Sequence, residues 1–104
     1  DMIISGGENV YCTEVEAAIA EHLKVREVAV VGAPHPKWGE TPVAVVVPRD
    51  PDDPPGSDEL IEFTSTRLAS YKKPTRVVVV DALPRNASGK VLKAPLRDAV
   101  RDDS

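Results

Sequence analysis

The chain has 104 residues, of which 41% are hydrophobic and 29% are charged, and its formal net charge is -4. These totals predict one globular domain with a modest core; they exclude a disordered chain and argue against nucleic acid as a partner. The apolar runs are too short to cross a bilayer, so no transmembrane segment is expected. Cys12 is the single cysteine, so we expect no internal disulfide, a reducing, cytoplasmic compartment and no structural metal site.

The first residues predict a β-hairpin. Two short β-prone runs, 2–4 and 10–11, flank the turn sequence Ser-Gly-Gly-Glu-Asn at 5–9. Glycines in such a turn permit positive φ and the close approach of another molecule. From the spacing alone, a plain hairpin tip is the favoured interpretation. The chain begins at Asp1 without an initiator methionine, and we expect it to be a piece of a larger protein.

A helix is predicted from about Glu14 to His22. Thr13 and Glu16 have the spacing of a capping box, in which the hydroxyl serves the amides of the first turn and the carboxylate reaches back. Apolar residues then recur at helical intervals. Cys12 precedes the cap, where we expect it to lie outside the helical hydrogen bonding as a small buried hydrophobe.

Three wholly apolar runs predict the centre of a sheet. They span 28–31, 43–47 and 77–80 and consist mainly of valine. Strands with one solvent-facing side alternate between apolar and polar residues, and these runs do not, so both faces of each strand are expected to be covered.

Two further helices should supply that cover. One is predicted from about Asp58 to Ala69, and the other begins near Val91 with Leu92 and Leu96 inward. The expected fold class is therefore α/β (α+β): a small mixed sheet of about three central strands covered by helices, with an N-terminal β-hairpin.

Two Pro-rich segments are predicted as loops. Residues 48–56 contain four prolines and three aspartates and are expected to be exposed. Residues 33–40 hold the only tryptophan, Trp38, which in such a loop either packs over a core edge or meets a ligand through its ring. His35, between two prolines, is expected in the turn.

The segment 84–90, Pro-Arg-Asn-Ala-Ser-Gly-Lys, predicts a turn that presents Lys90 outward. The lysine ammonium, with three donors, suits an anionic group such as a phosphate or a carboxylate. The segment departs from the P-loop pattern, since Pro84 replaces the first glycine and Val91 replaces the hydroxyl that Mg²⁺ requires. Taken by itself, the turn indicates only a solvated lysine at the start of a helix.

Four stretches together resemble the C-terminal lid domain of adenylate-forming enzymes, in particular the acyl-CoA synthetases that act on fatty and aryl acids. They occur in the family's order and spacing, and they lie at 1–16, 37–40 (Lys-Trp-Gly-Glu), 68–74 (Leu-Ala-Ser-Tyr-Lys-Lys-Pro) and 83–93. The resemblance implies that 1–104 is one lid domain of a larger enzyme, whose N-terminal ATP- and acyl-binding domain is absent. One departure is Cys12, where the family commonly has proline.

The resemblance assigns roles only where the residues match. Lys90 is similar to the family's adenylation lysine, which contacts the acyl carboxylate and the nucleotide. Other residues resemble the loop that lines the CoA channel, or positions near the CoA arm and its nucleotide: Ser5, Gly6, Gly7, Glu8, Trp38, Tyr71 and Lys73.

The implied reaction joins a carboxylic acid, expected to be fatty or aryl, to CoA in two steps that consume ATP with Mg²⁺. Acyl-adenylate and pyrophosphate form first; the CoA thiol then attacks the adenylate and AMP leaves. The resemblance implies that a hinge rotation replaces the Lys90 turn by the Gly6-Gly7 loop between the steps. The domain by itself is expected to be inactive, to bind none of these cofactors tightly and to act with its N-terminal domain as partner. Two alternatives stay open, the lid of a carrier-protein-dependent adenylation domain and a stand-alone binding or regulatory module.

Overall fold

The computed structural model of the chain describes residues 2–102. In chain order its elements are β1 Met2–Ser5, β2 Glu8–Tyr11, α1 Cys12–Ala20, β3 Val25–His35, β4 Gly39–Pro48, α2 Ser57–Ser65, β5 Arg76–Val79 and α3 Lys93–Asp102, with a short 3-10 turn at Ser70–Lys72. The predicted fold class is confirmed: a small mixed sheet is covered by helices and begins with a β-hairpin.

The N-terminal hairpin closes over a two-residue turn. Ser5 pairs with Glu8 across it, and Gly6 and Gly7 have φ of 59° and 84°. Both central residues are therefore in the left-handed region that a type I′ turn requires and that L side chains resist. The register places this tip beside the start of β4, where Ser5 pairs with Gly39.

β4 is the middle strand of the sheet. β3 runs antiparallel along one of its edges over nearly its whole length. The other edge is shared, since β1 meets β4 at its first residue, Gly39, and β5 runs parallel beside Val43–Val46. The three valine-rich runs thus form neighbouring strands, as predicted.

Both faces of β4 are buried, which confirms the interpretation of its unalternated sequence. Ala44 and Val46 lie in one core with Leu60 of α2 and residues of α1. Val45 and its odd-numbered neighbours lie in the other core with Leu96 of α3. Burial of a leucine or valine side chain on this scale contributes about 1.5–3 kcal/mol, so the two helical layers hold the sheet from opposite sides.

The first helix begins earlier than predicted, and its capping box is absent. Tyr11 occupies the N-cap position without a side-chain hydrogen bond, and Thr13 lies inside the helix. The Glu16 carboxylate does not reach back; it accepts hydrogen bonds from the Val30 N–H at 2.9 Å and from Lys93 Nζ at 2.7 Å. Contacts with β3 and α3 have thus displaced the local cap that the sequence pattern favoured.

Both of the first two helices are shorter at the C-terminal end than predicted. α1 ends at Ala20 and α2 at Ser65. At the C-terminal end of α2 and just after it, the hydroxyls of Thr64, Ser65 and Thr66 each donate to the carbonyl three residues earlier, at 2.6–2.9 Å. Such hydroxyls compete with the backbone for its acceptors, which accounts for the early end of this helix.

The prediction that Leu92 points inward is wrong. This residue precedes α3, which begins at Lys93, and is 39% exposed, whereas Leu96 is 6% exposed and buried as predicted. The Leu92 N–H donates to the Pro84 carbonyl at 2.8 Å. Residues 91–92 therefore close the turn that carries Lys90 instead of beginning the helix.

The two predicted loops are shorter than expected. β3 continues through His35 and β4 begins at Gly39, so the turn is confined to 36–38 and His35 ends a strand. Pro34 is accommodated because β3 lies at the edge of the sheet, where proline is tolerated. Pro48 closes β4 and is buried, so the exposed loop begins after it.

Candidate functional site

A groove of about 700 Å³ brings together six of the seven residues that the sequence pointed to for binding. These are Ser5, Gly6, Glu8, Trp38, Tyr71 and Lys73. Gly7 lies beside them on the hairpin tip, where a side chain would meet no atom within 4 Å. The residues come from three separate segments of the chain, so the tertiary structure alone assembles them.

One wall of the groove is formed where the hairpin tip docks on the turn after β3. The Gly6 N–H donates to the Trp38 carbonyl at 2.9 Å. The Trp38 ring stacks on His35 with centroids 4.2 Å apart and planes 8° from parallel. His35 Nδ1 also accepts from the N–H groups of Lys37 and Trp38, at 3.1 and 3.2 Å. His35 thus fixes the turn and supports the indole, and its role is structural.

The facing wall is the segment around the 3-10 turn. Tyr71 is exposed there, and the neighbouring Lys72 pairs with Glu14 of α1 at 2.9 Å. The hydrogen bond that Lys72 donates to Glu14 raises the pKa of Lys72, which therefore stays charged and ties the turn to α1. Lys73 follows and lines the groove.

Sequence reasoning missed the floor of the groove. Thr41 and Thr75 bring their hydroxyls within 2.9 Å of each other there, and the remaining lining residues are Ile61, Ser70 and Pro74. Thr41 and Thr75 meet because the Thr75 N–H donates to the Pro42 carbonyl at 3.1 Å, beside the β4–β5 pairing. No local pattern predicts that pairing, although Ser70 and Pro74 lie in a stretch that the family resemblance had marked.

The groove combines aromatic ring faces with hydroxyls, one ammonium group and, at the hairpin tip, the Glu8 carboxylate. Trp38 and Tyr71 supply apolar surface, the hydroxyls of Ser5 and Thr41 supply hydrogen-bonding groups, and Lys73 supplies positive charge. A site of this kind suits an elongated ligand that has an apolar or amide-bearing stem and an anionic end.

The turn at 84–90 is held by its own asparagine. Asn86 Oδ1 accepts from the N–H groups of Ser88 and Lys90, at 3.0 and 2.9 Å, and from the Ser88 hydroxyl at 2.8 Å. Gly89 has φ of 89°, a conformation that an L side chain would strain. Lys90 is exposed and makes no ion pair with the residues that the structure describes. The backbone of the turn is thus ordered, and its cation faces outward as predicted.

The Lys90 turn and the groove lie at opposite ends of β4. The groove is at Gly39, where the hairpin tip joins the sheet. The turn is attached through an ion pair between Arg85 and Glu27, and Glu27 is opposite Val47 in the sheet. At about 3.3 Å per residue, Gly39 and Val47 are roughly 26 Å apart. The structure therefore brings together the residues predicted to bind and keeps Lys90 away from them.

Cys12 takes no part in either feature. It is the first residue of α1 and packs in the core beside Val15 and Ile19. The prediction that it precedes the cap is therefore wrong, although the N–H of a first helical residue still lies outside the helical hydrogen bonding, and its burial is confirmed. Burial raises the pKa of its thiol, which disfavours the reactive thiolate.

Residues 2–102 contain neither a cluster of metal ligands nor a membrane-spanning helix. No three side chains of His, Cys, Asp or Glu there are grouped so that they could hold a metal ion. No helix in the same range is both long and apolar enough to span a membrane.

Comparisons with known proteins connect these features to one family. The family described as AMP-binding enzyme C-terminal domain matches residues 14–90. A 2-succinylbenzoate–CoA ligase of Listeria monocytogenes is 48% identical over 98 residues, which cover 94% of this chain and 20% of that protein. A feruloyl-CoA synthase of an Amycolatopsis species is 50% identical over 97 residues, with coverage of 93% and 20%.

The structural comparison agrees with the sequence comparisons. A fatty acyl-CoA synthetase of Mycobacterium tuberculosis superposes with a TM-score of 0.90 at 46% identity, over 99% of this chain and 20% of that one. The chain thus spans about one fifth of the length of the relatives that it matches.

Proposed function

The chain belongs to the family of AMP-binding enzyme C-terminal domains, and from this we propose that residues 1–104 are the C-terminal lid of a larger ATP-dependent acyl-CoA ligase. The observation that carries the proposal is the separation of an exposed cationic turn from a lined groove, at opposite ends of one strand. Two half-reactions with different chemical demands can each use one of these ends. The N-terminal domain, which would bind ATP, Mg²⁺ and the acid, is the partner.

Adenylation needs positive charge near the reacting phosphate. As the carboxylate attacks the α-phosphate of ATP and pyrophosphate leaves, negative charge develops that a fixed cation can stabilise. Lys90 supplies this cation: its ammonium projects from a turn whose backbone is held by Asn86. It orients the carboxylate and offsets the developing charge, while Mg²⁺ and the triphosphate are held by the other domain.

Thioester formation needs a channel for a long thiol substrate. The stem of CoA carries amides and methylenes, and its far end carries phosphates, so its chemistry fits the groove. Trp38 and Tyr71 would hold the stem, and Lys73 would hold a phosphate. Gly6 has φ of 59°, which an L side chain resists, and its bare backbone at the groove lets the stem pass close to it. Hinge rotation of the whole domain exchanges the turn for the groove at the active site.

We propose a fatty or aryl acid as the substrate. Relatives of nearly equal identity are named for 2-succinylbenzoate, a feruloyl group and fatty acyl groups. Within this class the sequence of the domain does not distinguish one acid from another, which is the expected result if the acyl pocket lies in the other domain.

The proposal is tested by Lys90→Ala in the full-length protein. Pyrophosphate exchange, which reports adenylation, should slow by at least 10²–10³, the loss that follows removal of one strong electrostatic contact. Thioester formation from supplied acyl-adenylate should be unchanged. Lys24→Ala is the matched control, because Lys24 pairs with Asp53 and Glu59, which belong to neither the turn nor the groove. Equal loss of both half-reactions in Lys90→Ala would refute the division of roles.

A second experiment separates the lid from the two alternatives. The isolated 104-residue chain should be inactive. Adding it to the separately made N-terminal domain should restore adenylation. A stand-alone binding module would restore nothing. If thioester formation then required a phosphopantetheinyl protein and free CoA did not support it, the lid would belong to a carrier-dependent adenylation domain.

A further inference from the structure

The Lys90 turn is tied to the sheet through Arg85. One guanidinium nitrogen of Arg85 donates to the Gly89 carbonyl at 2.7 Å, and the other terminal nitrogen donates to the Glu27 carboxylate on β3. A single side chain therefore joins the residue immediately before Lys90 to a strand of the core. The planar guanidinium holds its two terminal donors in fixed directions on separate nitrogens, whereas a lysine would offer both acceptors a single, freely rotating ammonium.

A second anchor lies just after the turn. Lys93 Nζ donates to Glu16 Oε2 at 2.7 Å and to the Val30 carbonyl at 3.1 Å, and the Val30 N–H donates to the same carboxylate at 2.9 Å. The ion pair thus satisfies both backbone groups of Val30 at the open edge of β3. The side chains of Lys93 and Glu16 are only 18% and 22% exposed, so water competes weakly for them.

Of the two anchors, the one formed by Arg85 controls the position of Lys90. Lys93 fixes where the turn ends, whereas the orientation of the Gly89 peptide decides where the next residue, Lys90, starts. Gly89 has φ of 89°, and glycine crosses this region without a steric barrier from a side chain. The internal hydrogen bonds to Asn86 shape the turn but do not attach it to the sheet. Among the hydrogen bonds that the structure describes for residues 84–90, only those of the Arg85 side chain connect Gly89 to β3.

We propose that Arg85 is a positioning residue for Lys90 and that Glu27 holds Arg85 in that role. The inference rests on the proposed function of Lys90 in adenylation. Without the anchor, the turn keeps its internal hydrogen bonds but can tilt relative to β3, and the amine moves away from the carboxylate that it should orient. A misplacement of about 1 Å can slow an enzymatic step by as much as 10²-fold.

The test uses Arg85→Ala in the full-length protein and follows three readouts. Adenylation should slow by about 10- to 100-fold, while thioester formation from supplied acyl-adenylate stays within about twofold of wild type. Amide hydrogen exchange within 86–90 should accelerate about tenfold, since the local opening free energy falls with loss of the anchor. The division between half-reactions is the readout that a merely structural role would not produce.

Arg67→Ala is the matched control. Arg67 also pairs with a glutamate, Glu21, at 2.9 Å and donates to a backbone carbonyl, that of Phe63, at 3.3 Å. Its side chain is 39% exposed, against 43% for Arg85. The substitution therefore removes the same charge and similar contacts on another part of the surface.

The outcomes separate the inference from the function on which it rests. Adenylation and exchange in Arg85→Ala equal to those in Arg67→Ala would overturn the positioning role, as would an equal slowing of both half-reactions. Failure of the proposed function would instead show as undiminished adenylation in Lys90→Ala. In that case, unchanged exchange within 86–90 would also overturn the anchoring by Arg85, and faster exchange would retain it.

Discussion

Replacement of Glu16 by alanine should destabilise the domain far more than its position in a helical turn would indicate. Glu16→Ala leaves the Val30 N–H without its acceptor and removes the carboxylate partner of Lys93, which keeps its bond to the Val30 carbonyl. An unsatisfied, largely buried N–H costs about 1–3 kcal/mol, and a hydrogen bond to a charged group contributes about 1.5–3 kcal/mol. Partial exposure of the pair reduces the second figure, so we expect a loss of about 2–3 kcal/mol.

Urea unfolding of the 104-residue chain, followed by circular dichroism, measures this loss. The midpoint should fall by roughly 1–2 M. Glu16→Gln, which keeps an acceptor for the N–H, should lose about half as much. Glu14→Ala is the control on the same helix, because its pair with Lys72 lies at the surface and should contribute less than about 1 kcal/mol.

Thr13→Ala distinguishes the observed contacts from the capping box that the sequence predicts. A capping threonine would cost about 1 kcal/mol on replacement, whereas the Thr13 of this structure lies inside α1 and caps nothing. The reasoning is refuted if Thr13→Ala is as damaging as Glu16→Ala, or if Glu16→Ala is no more damaging than Glu14→Ala.

The remaining predictions concern the groove, the second core and the pH dependence of stability. In the full-length protein, Trp38→Ala should raise KM for the thiol substrate about tenfold in thioester formation, equivalent to ~1.4 kcal/mol of lost contact; an unchanged KM would contradict the assignment of the groove. Leu96→Ala should lower the free energy of unfolding, measured by urea titration, by about 2–4 kcal/mol, because it opens a cavity in a buried cluster. Leu92→Ala, at an exposed position, should lower it by well under about 1 kcal/mol. Equal losses would show that Leu92 is buried. The pKa of Glu59 is lowered from its ordinary value of 4.5, chiefly by the hydrogen bond from the Gly56 N–H and to a smaller extent by the nearby charges of Lys24 and His22. The stability that this carboxylate contributes is present above pH 4.5 and is lost as pH falls through the lowered pKa. Wild type and Glu59→Gln should therefore converge in stability as the pH is taken below 4.5 and through that lowered pKa, and a constant difference from neutral to acid pH would disprove the linkage.

Local chemistry explains why several elements could be predicted from the sequence. The Gly6-Gly7 pair predicts a hairpin turn because only residues that accept positive φ can occupy its centre. The valine runs predict strands covered on both faces because each side chain along them is apolar. The turn at 84–90 also follows from its own residues, since Asn86 forms the hydrogen bonds that hold it. None of these inferences needs a contact from elsewhere in the chain.

The errors arise where a distant partner competes with a local one. Glu16 had a local acceptor role in the capping-box pattern, yet its carboxylate is bound by Val30 and Lys93, which lie 14 and 77 residues further along the chain. Leu92 fitted the helical period, yet its backbone is used to close the Lys90 turn. Sequence periodicity predicts which residues can be buried, but it does not predict which of several possible hydrogen-bonding partners a residue will contact.

The sequence by itself determined the fold class, the hairpin, the covered central strand β4 and an outward lysine on an ordered turn, because these depend on backbone conformation and on apolar pattern within short segments. The same pattern predicted full cover for β5, which is wrong, since Val79 is 44% exposed. Only the tertiary structure decided that Thr41 and Thr75 would complete the groove, that Arg85 would join the turn to β3, and that groove and turn would lie at opposite ends of β4. These arrangements depend on strand register, and register is settled by the packing of both faces of the sheet together.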